Sequence, residues 1–221
     1  MTGDPGGEWR HGERDLGLFE RWLGLESGQR LSAADNERER WNRKYSEGCG
    51  APKKPDVFLA RAFSDFIRPL FPNGGRALDL AGGAGRHAIW LAQQGWEVTL
   101  IDISETGIEQ ARQSAGPLAS HIHFVIDDLT RFEASQTGFQ PEFGVVMAFF
   151  YLERKSFSEM VKAVRVGGLL VYKTYLKSHA QCVKNPAHLL EGGELLQLAK
   201  GLRILHYREV EGTAELVGGK D

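Results

Sequence analysis

Two hydrophobic periods share this chain. Short apolar runs at 76–81, 97–102, 122–127, 144–152 and 169–175 have the length of buried strands. Between them lie stretches with helical spacing, at 86–95, 104–116 and 156–168. Ile108, Ala111 and Ala115 share one face of the second, and Met160, Val161 and Val164 point inward on the third. Ser156 and Glu159 have the spacing of a capping box, which places a helix start there. A helix at 193–201 and two short strands, 203–210 and 213–219, close the chain. Upstream, Phe58, Leu59, Ala62, Phe63, Phe66 and Ile67 form a helical stripe over 55–71, with Asp56 as N-cap. A helix over 33–48 carries Trp41 and Tyr45 on one face and is ended by Gly48 and Gly50. Leu16, Phe19 and Leu23 predict a short helix earlier still.

Strands separated by helices imply right-handed crossovers and parallel pairing. The link Glu211-Gly212-Thr213 is too short for a crossover, so it joins an antiparallel pair. The predicted fold class is α/β: a single doubly wound, mostly parallel seven-stranded sheet with the last strand antiparallel. Residues 1–34, rich at first in Gly, Pro and charge, read as a partly disordered extension. Residues 35–221 read as one domain with an N-terminal helical cap.

Composition narrows the function classes. The chain has 221 residues, 42% hydrophobic and 25% charged, with a net charge of −2. That balance disfavours nucleic acid, whose phosphates call for a basic face. Cys49 and Cys182 make neither a disulfide framework nor a four-ligand metal site, so no metal is expected. The run Val145–Leu152 is too short for a bilayer, and the first residues lack the apolar core of a signal peptide. The expectation is a cytoplasmic protein without a membrane segment.

The candidate chemistry sits after the first core strand. Gly82, Gly83 and Gly85 form a tight turn from strand to helix, and such a turn admits a nucleotide-like ligand beside free helix N–H groups. Gly83 to Ala88 formally fits the dinucleotide pattern, with Asp102 following 19 residues after Gly83. Taken alone this suggests a nicotinamide cofactor and an oxidoreductase. Asp79 argues otherwise. A carboxylate that close to a diphosphate costs on the order of 1–4 kcal/mol, whereas an ammonium group would gain. S-adenosylmethionine (SAM) carries such a group, a ribose for Asp102 and an adenine for Asp128. Each acid alone would more simply cap the helix after its strand. Three acids ending successive strands around one glycine turn favour SAM.

With these residues in view, "LDLAGGAGRH", "LIDIS" and "VIDDL" resemble the motifs of class I SAM-dependent methyltransferases. "WNRKY", "AFFYLER", "GGLLVYKTY" and "NPAHLLEGGELLQL" resemble the tellurite-resistance (TehB-like) subgroup. The resemblance implies a Rossmann-like methyltransferase fold and a SAM cofactor. It also implies that Asp79, Ala81, Gly83 and Gly85 hold the methionine portion, Asp102 and Ile103 the ribose, and Asp128 and Leu129 the adenine. Phe149 would lie beside the sulfonium, and Trp41 and Tyr45 would cover the cofactor. Ala81 stands where the first glycine is usual, Gly144 where an acid is frequent, and Lys173 likewise where an acid is frequent.

The methyl acceptor is open at this stage. A small molecule is expected: a chalcogen anion, a thiol or another small metabolite. Soft anions need no base, while a phenol or amine does. Tyr151, Glu153, Tyr175 and His188 are candidates, and no catalytic residue follows from spacing. A non-catalytic SAM-binding protein is the further alternative.

Overall fold

The computed structural model describes residues 32–48, 54–132, 143–178 and 186–221. The predicted helix around Phe19, both cysteines and Gly50 lie outside them. Seven strands form one sheet: β1 (Arg76–Leu80), β2 (Glu97–Asp102), β3 (Ile122–Ile126), β4 (Phe143–Phe149), β5 (Val164–Tyr175), β6 (Arg203–Val210) and β7 (Thr213–Gly219). Their order is β3-β2-β1-β4-β5-β7-β6, and β7 runs antiparallel to both neighbours. This is the predicted mostly parallel seven-stranded sheet with its last strand antiparallel. Strand order reverses on either side of β1, the place where ligands bind in such sheets.

Six α-helices longer than a single turn accompany the sheet among the described residues: α1 (Ala33–Ser46), α2 (Val57–Ala62), α3 (Arg86–Gln93), α4 (Glu105–Ala115), α5 (Phe157–Ala163) and α6 (Glu194–Leu198). The alternation of each strand divides the core in two. Leu78, Leu80, Val146, Ala148, Leu170, Tyr172 and Leu216 pack with α5 and α6 on one face. Ala77, Leu100, Val145, Met147, Val171 and Val217 pack with α2, α3 and α4 on the other. The central strands are apolar on both faces because both are covered.

Three local differences from the sequence pattern have physical causes. The stripe over 55–71 is not one α-helix: after α2 the chain takes a π-helical turn, Phe63–Ile67, before a last turn, Arg68–Leu70. The capping box expected at Ser156 does not form. The Ser156 hydroxyl donates instead to the Leu129 carbonyl at 2.7 Å, which also accepts the Phe132 N–H. The capping box lies at Ser32 and Asp35, at the head of α1. Finally, α5 stops at Ala163 and β5 begins at Val164, before the predicted 169. Lys220 Nζ donates to the Val161 and Val164 carbonyls and so satisfies the early helix end. No helix among the described residues is long and apolar enough to cross a membrane.

Candidate functional site

β1 ends at Leu80, and the chain turns through Ala81 to Gly85 before α3 begins at Arg86. Ala81, Gly83 and Gly85 have φ of 56°, 56° and 80°. Ala81 therefore adopts the left-handed conformation for which glycine is usual. At Gly85 glycine is required by space as well, and at Gly83 a side chain would displace Tyr45. A Cβ on Gly83 would lie 1.9 Å from the Tyr45 hydroxyl, and one on Gly85 would lie 2.8 Å from Ala111 Cβ.

Parallel register brings the second acid to the turn. Asp102 ends β2, beside Ile126 of β3, and its Oδ2 accepts the Gly83 N–H at 2.8 Å. Its Oδ1 accepts the Ser104 N–H at 2.8 Å. Burial pushes this carboxyl up from the usual range, and the Ser104 and Gly83 amides partly offset that. A carboxylate has about four acceptor positions, so two remain for hydroxyls. The Gly83 amide that a diphosphate would use is already taken.

Asp79 differs from Asp102. It is 1% exposed, and neither of its oxygens has a hydrogen-bond partner among the described residues. Burial lifts its pKa to about 7. The Ala88 amide, which falls short of a hydrogen bond to it, offsets part of this, Asp102 adds to it, and the Arg86 guanidinium offsets a little more. A buried carboxylate without a partner is costly, and a cation supplied by a ligand would relieve it.

Asp128 is half-buried, and its Oδ1 accepts the Thr130 N–H at 2.9 Å, opening the turn Leu129–Arg131. Asp128 therefore caps the turn that leaves its strand, whereas Asp102 holds the amide of Ser104, the N-cap of α4. Asp79 does neither. Ile103 is half-buried at the rim, whereas the Leu129 side chain joins the core. Phe149 closes β4 with its ring centroid 4.2 Å from that of His87.

Helix α1 lies over the turn. Asn42 Oδ1 accepts from Ser104 Oγ at 2.7 Å and from the Thr106 N–H at 3.2 Å, and Gln110 Nε2 donates to the Tyr45 carbonyl at 3.0 Å. Trp41 and Tyr45 stack loosely, ring centroids 6.1 Å apart. The "WNRKY" motif pointed to its two aromatic residues. The anchoring Asn42 between them was not singled out.

The four candidate bases do not converge. Tyr151 has a buried hydroxyl without a hydrogen-bond partner among the described residues. Burial, then the negative charges of Glu153, Asp128, Asp102 and Glu37, push its pKa well above the ordinary phenol value. It therefore holds its proton. Glu153 accepts the Lys155 N–H, and His188 Nδ1 lies 3.3 Å from the Leu152 carbonyl oxygen. Tyr175 stacks on Phe150 at 4.8 Å.

Sequence spacing did not single out His87, Arg86 or the ion pairs of Lys173. Lys173 Nζ lies 3.1 Å from Asp56 Oδ1 and 3.0 Å from Glu215 Oε1. The only sequence signal was that Lys173 departs from the TehB-like pattern.

Comparison with known proteins agrees with this geometry. A family model described as a methyltransferase domain matches residues 77–168. The chain is 30% identical over 122 residues to YqeM of Bacillus subtilis (strain 168), a putative methyltransferase by name; the match takes in 51% of this chain and 47% of that one. The chain thus spans about half the length of that relative. Among solved structures, the TehB-like SAM-dependent methyltransferase of Corynebacterium glutamicum aligns with a TM-score of 0.57 and 20% identity, covering 85% of this chain and 98% of that one. The N-methyltransferase NodS of Bradyrhizobium japonicum, solved with S-adenosyl-L-homocysteine, aligns with a TM-score of 0.63 and 19% identity, covering 83% and 98%. These likenesses establish a shared fold.

Proposed function

We propose that the protein, whose residues 77–168 match a methyltransferase domain, transfers a methyl group from SAM to a small-molecule acceptor. SAM supplies a methyl group already activated on a positively charged sulfur. The chain's own part is to bind, orient and exclude water, which can contribute roughly 7–11 kcal/mol through positioning.

Asp79 is the single observation that carries the proposal: its partnerless carboxylate accepts from the ammonium of the methionine tail. Arg86, at the head of α3 beside Asp79, pairs with the carboxylate of the same tail. The backbone at Ala81, Gly83 and Gly85 lets that tail approach. Asp102 accepts from the ribose hydroxyls with its two remaining positions, beside Ile103. The Asp128–Leu129 corner takes the adenine, and the ring of Phe149 flanks the sulfonium. Trp41 and Tyr45 on α1 close over the site, so the binding domain begins near residue 35 with α1 as its cap.

Calorimetry with S-adenosylhomocysteine and NADH tests this. The expected result is binding of the first, weakened by Asp79→Asn, and none of the second. Binding of NADH alone, tightened by Asp79→Asn, would overturn the proposal.

A further inference from the structure

We infer that the acceptor half of the site is the second buried constellation, at the carboxyl ends of β4 and β5, and that it takes an amine. This deepens the methyltransferase proposal above and rests on it.

The constellation gathers distant parts of the chain. Phe149 and Lys173 are register partners at the ends of β4 and β5, and Glu215 is the β7 partner of Lys173. Asp56 reaches Lys173 from the N-cap of α2. The side chains of Lys173, Asp56 and Glu215 are 15%, 12% and 7% exposed. His206 stands behind them, Nε2 3.9 Å from Glu215 Oε2.

Charge decides the acceptor class. One cation between two carboxylates leaves one net negative charge. Lys173 is therefore already satisfied and offers little attraction to an anion. Arg86 lies 5.8 Å from the Phe150 ring, but it also faces Asp79 and is assigned to the cofactor tail. A chalcogenide or thiolate would be repelled here, and an ammonium group would be drawn in. Phe149, Phe150 and Tyr175 add aromatic faces, which favour positive charge.

His87 supplies the orientation. It is 3% exposed, lies against Phe149, and its Nε2 has no hydrogen-bond partner among the described residues. Burial, with Arg86 beside it, depresses its pKa to about 3, so it stays neutral. In the Nδ1–H tautomer its Nε2 can only accept, and an amine N–H is a fitting donor. Phe150 marks the same place. It holds φ of 58° and donates its N–H to the Lys173 carbonyl at 2.7 Å. Such strain in a bulky residue persists where surrounding structure imposes it, and it gathers at functional sites.

The chemistry balances. The bound ammonium must first release one proton to solvent, a step that higher pH favours. The nitrogen lone pair then forms the N–C bond as the S–C bond breaks and its electrons return to sulfur. S-adenosylhomocysteine and a methylated ammonium result. Positive charge passes from sulfur to nitrogen, toward Asp56 and Glu215.

The test offers the full chain methyl-labelled SAM with benzylamine, histamine or putrescine in one arm, and hydrosulfide, dithiothreitol or catechol in the other. Label is expected in the amines alone. Glu215→Gln should lower kcat/KM for amines about tenfold, the size of one nearby charge, with S-adenosylhomocysteine affinity unchanged. His87→Ala should lower kcat about a hundredfold through lost orientation, and His87→Gln, whose amide oxygen can accept the same bond, should recover part of it. Melting temperatures separate these effects from misfolding. Label in the sulfur or catechol arm only, or in neither arm while S-adenosylhomocysteine still binds, overturns the inference. So does a Glu215→Gln variant with unaltered kcat/KM. Failure to bind S-adenosylhomocysteine overturns the methyltransferase proposal instead.

Discussion

The two halves of the cleft treat buried charge in opposite ways. At β1 and β2, Asp79 lacks any hydrogen-bond partner among the described residues and Asp102 holds only backbone amides. At β5 and β7, Lys173 is enclosed by Asp56 and Glu215. The first half leaves a charge for the ligand to neutralise. The second has neutralised its cation in advance and keeps a surplus of negative charge. Unpaired buried charge costs stability until a ligand arrives, so the first half trades stability for affinity and the second sets which ligands are turned away.

The sharpest way to break this comparison is stability against pH. Asp79 has a folded pKa of about 7 against an ordinary 3.8, so the folded state holds its proton longer. Its contribution is full below pH 3.8 and is lost as pH rises through about 7. His87 has a folded pKa of about 3 against an ordinary 6.5. Its contribution is full above pH 6.5 and is lost as pH falls through about 3. Each spans roughly 4 kcal/mol, and between pH 4 and 6.5 the two slopes oppose each other. In ligand-free protein these two contributions should therefore nearly cancel across that window in denaturant titrations. Asp79→Asn should expose a rise with pH, and His87→Gln a fall. Parallel slopes in the two variants would show that the two halves do not differ.

Asp102→Ala comes next. It removes the acceptor for Gly83 N–H as well as the proposed ribose contact, and should weaken S-adenosylhomocysteine about a hundredfold by calorimetry. Gly85→Ala would force a Cβ to within 2.8 Å of Ala111 Cβ at a φ of 80°, costing about 2 kcal/mol, readable as a lower melting temperature. Smallest is Asn42→Ala, which frees α1 from Ser104 and Thr106 at about 1 kcal/mol. Faster proteolysis near Arg43, slowed again by S-adenosylhomocysteine, would show that α1 is a cap whose closure the first half controls.

The two halves were not equally legible. Asp79, the glycine turn and Asp102 belong to one strand-turn-helix-strand unit, so local spacing carries their geometry. Asp56, His87, Lys173 and Glu215 come from four separate elements, and no spacing connects them. Taken alone, Lys173 was only a departure from a family pattern. Ser156 shows the same limit on a small scale: its spacing fitted a capping box, but the Leu129 carbonyl competed for its hydroxyl and won. Tyr151 looked like a candidate base, yet burial and the carboxylates around it hold its proton on.

The amino-acid pattern by itself determined the sheet, its one reversed strand and the glycine turn, because hydrophobic period, helix caps and link lengths act over a few residues. Only the tertiary structure decided which acid lacks a partner, which lysine is neutralised and which imidazole keeps a free nitrogen. Those states depend on desolvation and on neighbours brought together by the sheet register, and neither exists until the chain has folded.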